Sequence, residues 1–296
     1  MVQFTEEISK DLKKAKVGNG FFKGILGFQH LIAMFGATVL VPLLTGLDPA
    51  VALFSAGLGT LIFHLCTKGK VPVFLGSSFA FIPVIQVVAK EYGDLRYAQG
   101  GIVTVGLIYV ILSFIIKKIG VDKIRKVLPA QVVGPMIMVI GLNLIPDALK
   151  NAGVNGLLGG ESGAIRNVLI AAVTLGLALI IKHYGKGMLK QVAILIAVVV
   201  GYGISYVMGI VETGAISEAA LLAVPNFTLP KFDLSAIVII VPVVLAVFME
   251  HVGDITTNGQ VVGKNFIEDP GLNRTMLGDG LATFAAGLIG GPANTT

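Results

Sequence analysis

Eight apolar stretches follow one another along this chain, at roughly 22–44, 50–66, 71–89, 97–116, 129–146, 167–182, 188–210 and 235–252, and a ninth occupies about 276–293. A helix needs about 20 apolar residues to cross the hydrocarbon of a bilayer, and most of these stretches come close to that length. Within hydrocarbon a segment must satisfy its own backbone polar groups, and a single stretch does so only as a helix. The chain therefore reads as an all-α polytopic membrane protein. Its composition agrees: 55% of the residues are hydrophobic and 13% charged, where a soluble domain carries about 25% charged residues.

The net charge of +5 invites a nucleic-acid reading, and the placement of the charges argues against it. With the N-terminus inside, the inside stretches hold Lys10, Lys13, Lys14, Lys16, Lys23, Lys68, Lys70, Lys117, Lys118, Lys123, Arg125, Lys126, Lys182, Lys186, Lys190, Lys264 and Arg274, which is 17 of the 22 basic residues. Lys90, Arg96, Lys150, Arg166 and Lys231 fall outside. This alternation obeys the positive-inside rule and predicts an N-in protein of the cytoplasmic membrane, with the bilayer rather than nucleic acid as its partner. Residues 1–20 form a polar cytoplasmic tail, and no apolar core with a small-residue cleavage site follows it, so no cleavable signal peptide is expected. The single cysteine, Cys66, forms no internal disulfide, and the scattered histidines have no metal-ligand spacing, so neither a metal nor another cofactor is expected. No GxxxxGK[ST] loop supports nucleotide-driven chemistry.

Two features carry functional weight. Glu250 closes an uncharged run, Ser235 to Met249, and Asp254 follows one helical turn later on the same face. A carboxylate joined to a membrane-length apolar run is costly and marks a substrate or ion site; the bland alternative for Glu250 is a glutamate snorkelling from the end of a helix. The third segment, VPVFLGSSFAFIPV, carries Pro72 and Pro83 at its flanks and Gly76-Ser77-Ser78 at its centre, so a broken segment is expected. Broken membrane segments present free amide groups and half-helix ends to substrates. The last residues, GGPANTT, have the same character. Asp279, in LGDGL, is read as the cap of the ninth segment. His251 is set about 100° around the helix from Glu250 and is expected to face elsewhere. Asp269-Pro270-Gly271 reads as a turn.

Five motifs in order, QHLIAMFGATVLVP (29–42), KGKVPVFLGSSFAF (68–81), EHVGD (250–254), EDPGLNR (268–274) and PANTT (292–296), resemble the nucleobase–ascorbate transporter family, and within it the bacterial branch that carries uracil. The resemblance implies fourteen transmembrane segments built as two inverted repeats of seven. Segments one to four and eight to eleven form a core domain, and segments five to seven and twelve to fourteen a gate domain. On that plan the chain is a truncated form: core segments at 21–127, gate segments at 128–212, an external loop at 213–234, and an incomplete second set of core segments at 235–296. A second substrate-binding glutamate is implied beyond Thr296.

The same resemblance implies proton-coupled uracil import by alternating access, not enzymatic chemistry, with a purine permease or an anion transporter of the same fold as alternatives and a possible homodimer through the gate domain. Uracil has two ring N–H donors, two carbonyl acceptors and a flat face. Glu250 matches the family's substrate-binding glutamate and Phe79 the position whose backbone and ring meet the base. Ala37 matches a small residue beside the pocket, and Ser78 offers a hydroxyl. Gln29 and His30 form the family's Gln-His pair, with His30 expected to orient the core domain. Asp254 departs from the uracil branch, where histidine stands at this position; it keeps proton coupling open because two acids one turn apart can share a proton.

Overall fold

The computed structural model describes residues 20–120, 133–161, 163–186, 188–211 and 223–296, together with Lys123 and Gly214. The polar tail expected at the N-terminus, and most of the segment joining residues 212 and 223, lie outside the described residues. The side chains of Gln29, His30 and Ala37 are likewise outside what is described, although all three residues lie on the first helix.

The elements run α1 (Gly20–Thr45), α2 (Pro49–Thr67), β1 (Gly76–Ser77), a 3-10 turn (Phe79–Phe81), α3 (Ile82–Tyr92), α4 (Arg96–Ile119), α5 (Val133–Asn143), α6 (Ile145–Asn151), α7 (Val154–Leu158), α8 (Ala164–Tyr184), α9 (Met188–Gln191), α10 (Ala193–Val207), α11 (Leu234–Ile240), α12 (Val243–Val262), a π-helical turn (Ile267–Gly271), α13 (Leu272–Ile289) and β2 (Asn294–Thr295). Among the described residues, four helical spans are long and apolar enough to cross a membrane: Pro49–Thr67, Arg96–Ile119, Ala164–Tyr184 and Leu234–Val262. Leu61, Leu65, Phe114, Leu169 and Leu245 are among the many large apolar side chains left exposed, as expected where lipid is the solvent.

The chain divides into two compact units, residues 141–225 and the remainder. In the smaller unit α8 packs against α10, and Gly201 gives the close approach, since a Cβ there would stand 2.5 Å from Thr174 Oγ1.

In the larger unit α13 is the central helix, held between α2 and α4. Lipid tails give helices no hydrophobic reason to associate, so contact rests on close van der Waals packing through small residues. Gly280 and Gly287 lie two turns apart on one face of α13. A Cβ at Gly280 would meet Tyr109 Cβ and Val110 N at 2.9 Å; one at Gly287 would meet Val103 Cγ2 at 2.8 Å. From the other side, a Cβ at Gly106 would stand 2.5 Å from Phe284 N. Gly278 does the same toward α2, where Phe63 fills the space.

The third segment is broken, as its glycine and serines indicate. Residues 71–78 are extended or bent, and the helix resumes only at Ile82 with Pro83 in its first turn, where the missing N–H costs nothing. The exposed backbone is satisfied by a two-strand antiparallel pairing, Gly76 opposite Thr295 and Ser77 opposite Asn294. Ser78 N donates to Ala293 O at 2.9 Å and Leu75 N to Thr60 Oγ1 at 3.0 Å. Asn294 Nδ2 donates to Ser55 O at 2.7 Å and Thr283 Oγ1 to Asn294 O at 2.7 Å. Two buried stretches of non-helical chain thus pair with one another and with α1, α2 and α13, which is how such backbone survives at membrane depth.

The eighth segment differs from expectation. It is two helices, because Pro242 interrupts the ladder after Ile240, and the second runs on to Val262 rather than ending near residue 252. Gly263, at φ 73°, closes it. The turn expected at Asp269–Gly271 lies in the π-helical turn that leads into α13, with the exposed pair Lys70–Asp269 beside it.

An extended strap, residues 226–233, lies across helix ends of the larger unit. Lys231 Nζ meets Asp94 Oδ2 at 2.9 Å, Arg96 Nε donates to Leu229 O at 2.9 Å, and Tyr92 Oη donates to Asp233 Oδ1 at 2.7 Å. Asp233 also caps α11, accepting from Ser235 N and Ala236 N. The amide of Arg96 and then the Lys231 ammonium hold the Asp94 carboxyl below its ordinary value of 3.8, and Tyr92 and then Ala236 N do the same for Asp233. Because both folded values are depressed, the contribution is complete above the ordinary aspartate range and is lost as pH falls through the folded values. Protection of the amides of residues 226–233, taken relative to their intrinsic exchange rates, is therefore expected to stay flat from neutral pH down to the ordinary aspartate value and to fall below it. A loss of protection that begins near neutrality contradicts this.

Candidate functional site

Glu250 is the eighth residue of α12, and the helix continues three turns beyond it. The side chain therefore leaves the middle of a helix rather than its end. Glu250 is half-buried, and its Oε2 is buried without a hydrogen-bond partner. Asp254 lies one turn further along and is also half-buried. Around them α12 packs against the 3-10 turn Phe79–Phe81, against α4 and against α13.

The strand pairing sets the opposite side. Ser77 spends its hydroxyl on Thr38 O at 3.2 Å, whereas Ser78 Oγ is buried and has no partner. Phe79 follows at once, half-buried at the start of the 3-10 turn. Thus the break in the third segment brings one free hydroxyl and one aromatic ring to the turn against which the Glu250 helix packs. Of the residues expected at the site, Glu250, Asp254, Ser78 and Phe79 belong to these packed elements. Gln29, His30 and Ala37 are on α1, without described side chains.

Two residues play other parts than those expected. Asp279 is not a cap: α13 begins seven residues earlier, at Leu272, and Asp279 is an interior residue, 1% exposed. Its Oδ2 accepts from His251 Nδ1 at 2.8 Å and from Thr296 N at 3.3 Å. His251 faces away from Glu250 as its helical offset requires, but toward a buried network, being 2% exposed. Its Nδ1 also lies 3.1 Å from Thr296 Oγ1 and its Nε2 3.0 Å from Thr275 Oγ1. A carboxylate only accepts, so the hydrogen belongs on Nδ1. His251 therefore ties α12 to α13, and through Thr296 to the end of β2.

Tyr109, on α4, was not singled out by its sequence context. It is 0% exposed and the largest of the fully buried side chains among the described residues, and its hydroxyl meets no partner. Asp279 Oδ1 is a further buried oxygen without one. The signal that finds this set is the co-occurrence of His251 and Asp279 in two apolar segments, since ionisable groups at membrane depth pair with one another.

Chemically, the arrangement offers carboxylate acceptors, hydroxyls able to donate or accept, and an aromatic ring at a broken segment. It suits a small, flat, neutral ligand with both N–H and carbonyl groups.

A protein-family model described as "Permease family" matches residues 23–296. The chain belongs to this family, that of the nucleobase–ascorbate transporters. The chain is 42% identical over 275 residues to a probable uracil permease of Pasteurella multocida, covering 93% of this chain and 65% of that protein. It is 42% identical over 277 residues to the uracil permease of Bacillus caldolyticus, covering 92% and 63%. It is 40% identical over 274 residues to the uracil permease of Escherichia coli K12, covering 92% and 62%. The chain thus spans a little under two thirds of the length of these relatives. Among solved structures, the transmembrane domain of the cyanobacterial bicarbonate transporter BicA resembles it with a TM-score of 0.62 at 16% identity, over 91% of this chain and 72% of that one. That likeness shows the shared fold.

Proposed function

We propose that the intact protein imports uracil across the cytoplasmic membrane together with a proton, and that it is a transporter rather than an enzyme. The observation that carries this reading is the unpartnered Oε2 of Glu250, on a helix packed against the turn that bears Ser78 and Phe79, in a chain whose relatives are uracil permeases. Glu250 accepts from the ring N–H groups, Ser78 Oγ meets a carbonyl, and Phe79 covers the flat face. Ala37 leaves room for the ring, and Gln29 and His30 support the site from α1. A proton on Glu250 or Asp254 makes the carboxylate pair tolerable at membrane depth and links substrate entry to the proton gradient.

The core of the transporter comprises 21–127 and 235–296, the gate 128–212, and residues 213–234 form an external loop. These belong to a fourteen-segment plan of two inverted repeats, N-terminus inside, in which core and gate move against one another and the gate carries a homodimer contact. The anion-transporter alternative draws on the fold shared with the bicarbonate transporter, and the carboxylate cluster opposes it by repelling an anion.

Uptake of labelled uracil by cells producing the intact protein tests this reading. Glu250→Gln is expected to lower uptake at sub-saturating uracil by about tenfold or more, the loss expected when a charge-assisted hydrogen bond to a ligand is removed. Wild-type transport retained in Glu250→Ala refutes the assignment of that residue, uptake indifferent to external pH refutes the coupling, and strong competition by xanthine moves the substrate to a purine.

A further inference from the structure

Asn294 is 0% exposed, and two helices hold it from opposite sides. Its Nδ2 donates to Ser55 O of α2 at 2.7 Å, while Thr283 Oγ1 of α13 donates to Asn294 O at 2.7 Å. The side-chain Oδ1 is buried without a partner, so the donor alone carries the hydrogen bonding of this side chain. Gly59 makes the room on α2: a Cβ there would stand 2.9 Å from Asn294 Nδ2 and 3.0 Å from Ala282 Cβ.

The strand pairing that these contacts flank is minimal. β1 and β2 have two residues each, with Ser77 opposite Asn294. So short a ladder is marginal by itself, and a slip of one residue turns each side chain to the other face. Such a slip would exchange the places of Ser77, bonded to Thr38 O, and of Ser78, whose hydroxyl is unpartnered. The register therefore decides which serine is free beside Phe79, and the ladder is too short to fix it unaided.

We propose that Asn294 is a positioning residue of the transport site: with Thr283 it sets the register of β2 against β1, and so the placement of Ser78 and Phe79 in the turn packed on the Glu250 helix. It acts through the backbone, since Ala293 O accepts from Ser78 N at 2.9 Å. The inference rests on the transport reading for the meaning of that placement, and half of its test needs no uracil.

The purified intact protein is compared with Asn294→Ala, which removes the donor, and Thr283→Val, which removes the second contact and keeps the shape of the side chain. Amide exchange at residues 76–79 is expected to quicken in both variants. Uracil affinity is expected to fall by about threefold to tenfold in each, the loss that one net hydrogen bond corresponds to. The maximal uptake rate in cells and the thermal midpoint of Thr283→Val stay at wild-type values, a split that general loosening of the fold does not produce. Should Asn294→Ala fail to fold, Thr283→Val decides alone. Unchanged exchange at 76–79 overturns the proposal. So does quickened exchange with unchanged affinity when Glu250→Gln has lost affinity, which makes Asn294 a fold contact only. If neither wild type nor Glu250→Gln binds uracil, or both bind it alike, the transport reading of the site fails, and the exchange comparison still judges the register.

Discussion

Gly106→Val is expected to yield little folded protein: most of it aggregates on extraction, and what survives melts at least ten degrees below wild type. The contact decides the magnitude. A Cβ at Gly106 meets Phe284 N at 2.5 Å, Phe284 Cα at 2.7 Å and Gly280 O at 2.9 Å, all of them backbone atoms of α13. No rotamer relieves a clash with backbone, so the two helices must part, and overpacking of that kind costs upwards of about 3 kcal/mol. Parting them also undoes the seats of Tyr109 and Val103 against Gly280 and Gly287. Gly101 offers a graded comparison, because there the obstacle is the flexible Ile240 side chain, with Cδ1 at 2.5 Å, and Gly101→Ala is expected to cost less. Gly57→Ala is the control: nothing lies within 4 Å of its would-be Cβ, so alanine is neutral or stabilising there by about 1 kcal/mol, its advantage over glycine in a helix. Thermal unfolding of the purified intact protein orders the three variants, and a Gly106→Val protein as stable as wild type disproves the backbone-contact account.

The elements legible in the sequence are those whose signal is local. Glu250 and Asp254 stand out because a charge in an apolar run is costly wherever the run packs. The broken third segment is legible because Gly76-Ser77-Ser78 between two prolines defeats a helix within its own fourteen residues. What escaped needed a partner far along the chain. Asp279 looks like a cap when only LGDGL is in view; its partner, His251, is 28 residues away and is identified only when α12 and α13 lie side by side. Tyr109 looks like packing, since an aromatic residue in an apolar helix usually is packing, and that its buried hydroxyl meets no partner shows only in the fold. The end of α12 was misjudged for a related reason. Asp254, Asn258 and Gln260 resemble the exit from a span by composition, yet the helix continues to Gly263, where Lys264 and Phe266 turn back on Gly259. Polarity marks where hydrocarbon ends, and a helix may run past that point.

His251→Leu and His251→Asn are expected to separate sharply, and their difference measures what the buried network does. Leucine fills much of the volume of the ring but leaves Asp279 Oδ2, 1% exposed, with only the longer contacts from Thr296 N at 3.3 Å and Thr296 Oγ1 at 3.4 Å. Removing one partner from a buried charged pair costs about 3–5 kcal/mol in water-soluble proteins because the remaining charge is stranded. Asparagine keeps a donor near the position of Nδ1, and hydrogen bonds between membrane helices average only about 0.6 kcal/mol, because the separated helices find other partners. The stranding term, not the bond itself, therefore sets the size of the effect. His251→Leu is expected to lose several degrees of thermal stability and, on the proposed transport reading, most uracil uptake, whereas His251→Asn stays close to wild type in stability. The functional loss follows from position: His251 joins the helix that carries Glu250 to Thr275 at the start of α13 and to Thr296 beside β2, whose strand partner precedes Ser78. On the proposed uracil-transport reading, freeing that link lets Glu250 and Ser78 drift apart, so the affinity for uracil is expected to fall more than the maximal rate. If leucine and asparagine behave alike in both stability and affinity, the His251–Asp279 pair is passive packing and the alignment of Glu250 has another cause.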